Sequence, residues 1–149
     1  QISSTEFLNT QIGIELKNFT SQDAKIGVLW AGNIGYYSDR ELIDFLGKSD
    51  KYIAKSSPIR YLNEFQKYNF SDFDPGHNKW DFEYSIGTLN PDIILRTWDD
   101  QKFYNQLEKN SYEKICVVFK YPFDSEELEI FVKKNSNKVI KEKIQFCSN

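Results

Sequence analysis

The stretch from Lys25 to Gly32, KIGVLWAG, is apolar at nearly every position and closes on a glycine. Successive side chains of a strand point to opposite faces of its sheet, so a half-buried strand alternates apolar with polar. A run that does not alternate has no face to offer water and must be covered on both. The run therefore predicts a central buried strand, and with it a sheet that carries cover on each side.

The rest of the chain supplies that cover. At 149 residues it has the length of one ordinary domain, enough to bury a core without metal or disulfide support. Before the run, Ser3 and Glu6 stand at capping-box spacing, and Leu8, Ile12, Leu16 and Phe19 share one helical face. After it, Gly32 and Gly35 in AGNIGYYS lack the full spacing of a dinucleotide loop, which leaves a tight turn. Ser38 and Glu41 repeat the capping-box spacing, and Leu42, Ile43 and Leu46 followed by Gly47 predict a short helix with a glycine cap. A strand from Leu42 to Leu46 is the competing assignment. Asp50 is placed to cap a small turn through Ala54.

Residues 56–79 lack clean periodicity and predict irregular structure, with at most one short helix around Tyr61 to Tyr68. DFEYSIGTL fits helix or loop, whereas NPDIILRTW reads as a turn feeding a second buried strand. Asp99 or Asp100 caps a helix that carries Phe103 and Leu107. YEKICVVFKY has the β-branched and aromatic content of a strand. Leu128, Ile130 and Val132 alternate before an Asn-Ser-Asn turn and predict a terminal hairpin, although Asp124 and Glu127 would also cap a helix. Strands alternating with helices give the fold class α/β. The expected form is one domain over 1–149, a small three-layer sandwich with a mostly parallel sheet and an antiparallel C-terminal edge. Ligands in such sheets sit beyond the carboxyl ends of the strands, which draws attention to the loops after Trp30 and Trp98.

Composition narrows the function classes. A net charge of −3 gives no cationic footprint for nucleic acid. The longest apolar runs fall far short of the roughly 20 residues that cross a bilayer. The cysteines, Cys116 and Cys147, lack zinc-site spacing, and both a buried thiol pair and one disulfide fit, the latter in an oxidising compartment. Neither a metal nor a cofactor is expected. There is no methionine, the chain starts at Gln1, and no signal segment precedes the first structured run, so a piece of a longer protein is expected.

Candidate ligand-binding residues come from local oddities. Asp44 sits inside an apolar run, where a carboxylate needs partners: backbone amides, water or a ligand hydroxyl. Asp74-Pro75-Gly76 favours a turn that projects the lone histidine, His77, together with Lys79. With no second ligand at metal spacing, His77 is a ligand contact, a structural plug or an acid/base beside Asp74 or Asp81. The last option would make a stand-alone small α/β enzyme. Aromatic residues make up 16% of the chain, and Trp30, Trp80 and Trp98 lie near strand ends or loops, where they serve as core or as platforms for sugar rings. The aromatic stretch from Tyr61 to Trp80 also fits a protein-interaction module.

Taken together, residues 25–96 resemble the soluble C-terminal region of multi-spanning bacterial GT-C-type glycosyltransferases, including arabinofuranosyltransferase-like and mannosyltransferase-like proteins. The pattern is a strand ending in Ala31-Gly32, then Tyr36-Tyr37-Ser38, Ile43-Asp44 with Gly47, Asp50 before Ile53-Ala54, Pro75-Gly76-His77 with Lys79, and Pro91-Asp92. The C-terminal third carries no part of it. The resemblance implies a non-catalytic domain on the extracytoplasmic, periplasmic face of the membrane. Its partner would be a transmembrane catalytic domain of the same polypeptide that uses polyprenyl-phosphate-linked sugar, and the domain would help to hold acceptor glycan or to dock. It adds Tyr36, Tyr37 and Asp50 to Asp44, His77, Lys79 and Trp80 as the expected ligand-binding set.

Overall fold

In a computed structural model, residues 4–57, 79–95, 100–121 and 124–148 are described. The elements in order are α1 (Ser4–Phe19), β1 (Lys25–Val28), α2 (Gly32–Ser38), β2 (Glu41–Asp44), α3 (Lys51–Lys55), a π-helix (Glu83–Thr88), β3 (Ile93–Leu95), α4 (Gln101–Lys109), β4 (Tyr112–Tyr121) and β5 (Asp124–Lys133). The strands form one sheet in the order β2-β1-β3-β5-β4. β1 pairs parallel with β2 and with β3, while β5 pairs antiparallel with β3 and β4. The chain is thus the α/β sandwich expected, parallel at one side and antiparallel at the C-terminal side.

Each face of the sheet has its own core, as the unbroken apolar run requires. On one face Ile26, Val28, Ile93, Leu95, Ile130 and Val132 meet Ile12, Leu16 and Phe19 of α1 and Ile34 of α2. On the other, Ile94 and Phe131 meet Phe103 and Leu107 of α4, Ile86 of the π-helix, and Phe45, Trp80 and Phe82. Gly27 makes the second packing possible: a Cβ there would fall 2.5 Å from Cζ of Phe45. Phe82 and Phe103 then pack edge to face at 5.3 Å.

Several local expectations are corrected. Residues 41–44 form a strand, not the expected capped helix, because pairing along β1 from Lys25–Glu41 to Val28–Asp44 outweighs local propensity. AGNIGYYS is helical rather than a turn; it ends at Asp39, whose left-handed φ of 52° lets its amide donate to the Gly35 carbonyl. The hairpin partner of β5 is β4, not the segment after the Asn-Ser-Asn turn, which instead returns Val139 to bridge Thr20. Cys116 and Cys147 form a disulfide that ties the C-terminal segment to the outer edge of β4. Closing a loop of that length, with 31 residues of separation, is worth roughly 3–4 kcal/mol on the chain-entropy account.

The amino edge of the sheet is bound by polar side chains. Asp92 Oδ2 accepts the Lys25 amide at 2.9 Å, its Oδ1 accepts from Ser136 Oγ at 2.7 Å, and Lys138 Nζ lies 3.7 Å away. Arg40 donates to the Lys17 and Thr20 carbonyls, both at 3.0 Å, so its guanidinium caps the end of α1. The hydroxyl of Tyr112 donates to the Pro91 carbonyl.

Burial, and then the nearby Asp92 charge, push the Tyr112 hydroxyl above its ordinary value near 10. The folded chain keeps this proton while the unfolded chain loses it above about pH 10. The stability contributed by Tyr112 is therefore complete below about pH 10 and is lost as the pH climbs further. Tyr112→Phe should cost about 1 kcal/mol at pH 7. That deficit should shrink in urea titrations above about pH 10, and a constant deficit across the alkaline range would contradict the assignment.

Candidate functional site

Strands β1 and β3 are neighbours in the sheet, yet the chain leaves β1 into α2 on one face and later leaves β3 into α4 on the other. Their carboxyl ends therefore mark the point where the connections diverge, the usual ligand crevice of an open α/β sheet. The loop after β1 brings Trp30 to this edge with 59% of its surface exposed. The other flank, residues 96–99 with Trp98, lies outside the described residues.

The expected ligand-binding set divides. Asp44, at the carboxyl end of β2, is 2% exposed. Its oxygens accept the Leu46 amide at 3.0 Å, the Ser49 amide at 2.7 Å and the Ser49 hydroxyl at 3.1 Å. These bonds shape the turn through Gly47, whose φ of 68° suits glycine, so of the three partners foreseen for Asp44 the backbone has it. Asp50 caps α3 by accepting the Tyr52 and Ile53 amides at 2.8 and 3.0 Å, and its second oxygen lies 3.4 Å from the Tyr84 hydroxyl. Burial and the Asp50 charge raise the Tyr84 pKa, which keeps that hydroxyl a donor. Lys79 Nζ donates to the Ala54 carbonyl at 2.6 Å and closes the other end of α3.

The aromatic members of the set also separate. Trp80, only 7% exposed, belongs to the core beside Phe82. Tyr36 is 82% exposed on α2, and Tyr37 meets it edge to face at 5.1 Å. Because α2 and Trp80 cover opposite faces of the sheet, Tyr36 and Tyr37 do not share a site with Trp80. His77 and Asp74, together with most of the stretch from Tyr61 to Trp80, lie outside the described residues. Asp81, the other carboxylate considered beside His77, has one oxygen engaged by the Tyr84 amide at 2.9 Å, where it caps the π-helix.

Two features escaped the sequence patterns. Tyr52, 56% exposed, stacks on Tyr84 with ring centroids 4.1 Å apart, a pairing across distant sequence that no local pattern carries. A groove of about 420 Å³ opens between the segment around Trp80 and the outer face of α4. Among the described residues, the grouping of Cys116, Cys147 and Glu127 has metal-like spacing, but its sulfurs are joined to each other and are not thiolate ligands. No described helix is long and apolar enough to cross a membrane.

A family model described as "Domain of unknown function (DUF8728)" matches residues 1–137. The match takes in all the strands of the sheet and stops short of Cys147. No curated protein and no solved structure matches the chain.

The geometry gives Asp44 a structural duty that can be weighed. Asp44→Ala should cost about 2–4 kcal/mol, since two amides and a hydroxyl lose a charged acceptor in a buried turn. Urea unfolding measures it; a stability change near zero with loss of ligand binding would return Asp44 to the ligand-contacting set.

Proposed function

Taking as premise that the chain belongs to that family, with residues 1–137 matched, we propose that it is a non-catalytic extracytoplasmic domain of a membrane glycosyltransferase. The catalytic partner is a transmembrane domain of the same polypeptide that draws on polyprenyl-phosphate-linked sugar, and the role of this domain is to hold acceptor glycan. One observation carries the proposal. The charged side chains of Asp44, Asp50 and Lys79 are engaged by main-chain groups, while Trp30, Tyr36, Tyr37 and Tyr52 are exposed. Exposed aromatic faces of this kind suit holding a ligand, because they pack against the apolar faces of sugar rings.

Two further observations support parts of it. The disulfide between Cys116 and Cys147 fits an oxidising compartment outside the cytoplasm. The motif series from Ala31 to Asp92 supports the class of parent enzyme, and the structure assigns two of its acidic members, Asp44 and Asp92, to turns and strand ends. They would recur in such domains for the fold alone.

Calorimetric titration of the chain with neutral arabinan and mannan oligosaccharides tests the proposal. Binding should occur, and Trp30→Ala with Tyr36→Ala should weaken it about three- to tenfold at an unchanged melting temperature. Absence of binding to any such glycan, together with full activity of a parent enzyme carrying both substitutions, would overturn the acceptor-holding role.

A further inference from the structure

The groove beside α4 has a chemical layout of its own. Lys102, Asn105 and Gln106 occupy one stripe of α4 at i, i+3 and i+4 spacing, flanking the buried Phe103 and Leu107. Asp81 and Glu83 form the facing wall, and Trp80 and Phe82 lie between.

Hydrogen bonds within the protein bias each wall toward one kind of capacity. Asn105 Oδ1 accepts from Gln101 at 2.9 Å, and Gln106 Oε1 accepts from Asn110 at 3.2 Å. Each amide oxygen thus has one of its two lone pairs engaged and each NH2 group stands available, beside the ammonium of Lys102, so donors outnumber acceptors on this wall. Across the groove, Asp81 spends one oxygen on the Tyr84 amide and keeps the other, and Glu83 reaches Lys109 only at 3.5 Å on the rim. Donors on one wall therefore face acceptors on the other across a partly aromatic floor.

A hydroxyl both donates and accepts, so a row of hydroxyls can satisfy the two walls at once. A phosphate or carboxylate, which only accepts when ionised, would leave the Asp81 and Glu83 wall unpaired and repelled. The groove volume, about 420 Å³, lies within the usual range of small-molecule sites, about 300–1,000 Å³. The geometry points to a subsite for a neutral polyhydroxylated segment, two or three sugar units of a glycan chain, bound between α4 and the Asp81–Glu83 segment. This rests on the proposed glycan-holding role and gives it a location separate from Trp30 and Tyr36.

Titration of the 15N-labelled chain with mannotetraose and with a linear arabinofuranosyl tetrasaccharide, followed by NMR, tests the subsite. The side-chain amide signals of Asn105 and Gln106 and the indole signal of Trp80 should move with at least one sugar, and inorganic phosphate should leave them in place. The double variant Asn105→Ala with Gln106→Ala, one exposed and one half-buried helical position where alanine keeps the helix, should weaken binding about tenfold or more without moving the Trp30 indole signal. Shifts confined to the Trp30 indole would overturn the subsite and leave the glycan-holding role standing. Movement with phosphate alone would overturn the neutral-ligand assignment, and no movement with either sugar would overturn the subsite and count against the role itself.

Discussion

Everything in this fold leans on a four-residue strand that cannot face water on either side. β1 is covered on one face by α1 and α2 and approached on the other by the Phe45 ring, which fits because residue 27 has no side chain. Close approach of that kind is felt at the level of a single methyl group. It fixes where β2 and β3 pair, and through them where the loops at the carboxyl edge emerge.

The two edges of the parallel part divide the work. At the amino edge, Asp92, Arg40 and Tyr112 use charged or buried hydrogen bonds to join strand starts, the end of α1 and the turn after β5. Lys138 extends this binding to Asp23 at 3.2 Å; that contact, together with the pull of Asp92, raises the Lys138 pKa against the opposing effect of burial. Those polar groups also line an open groove at the amino edge, between Lys25, Asp92 and Lys138, while the carboxyl edge presents Trp30 and the flank of α4 a polar-walled groove.

Much of this was legible in the residues. The unbroken run around Val28, the turn before Ile93 and the Asp100 cap of α4 are local signals that the tertiary structure reinforces. The residues of β2 read locally as a helix because Ser38, Glu41 and Gly47 mimic helix boundaries; only pairing with β1 decides it, and pairing is not a local property. The π-helix and the seven-residue α2 were obscured by glycines that lower helix propensity. The expected site fared unevenly for the same reason. Spacing identified residues with special duties, yet it did not reveal that Tyr36 and Trp80 lie on opposite faces, nor that α4 aligns Asn105 and Gln106 against Asp81.

Native-state hydrogen exchange reads the central constraint most directly, because amides in the most constrained elements open only with global unfolding. The amides of Ile26, Gly27 and Val28 should be among the last to exchange, with those of Ile93 and Ile94 close behind. If they exchange early while the long β4–β5 hairpin stays protected, the hairpin and its disulfide hold the fold together, and the doubly covered strand is not its organising element.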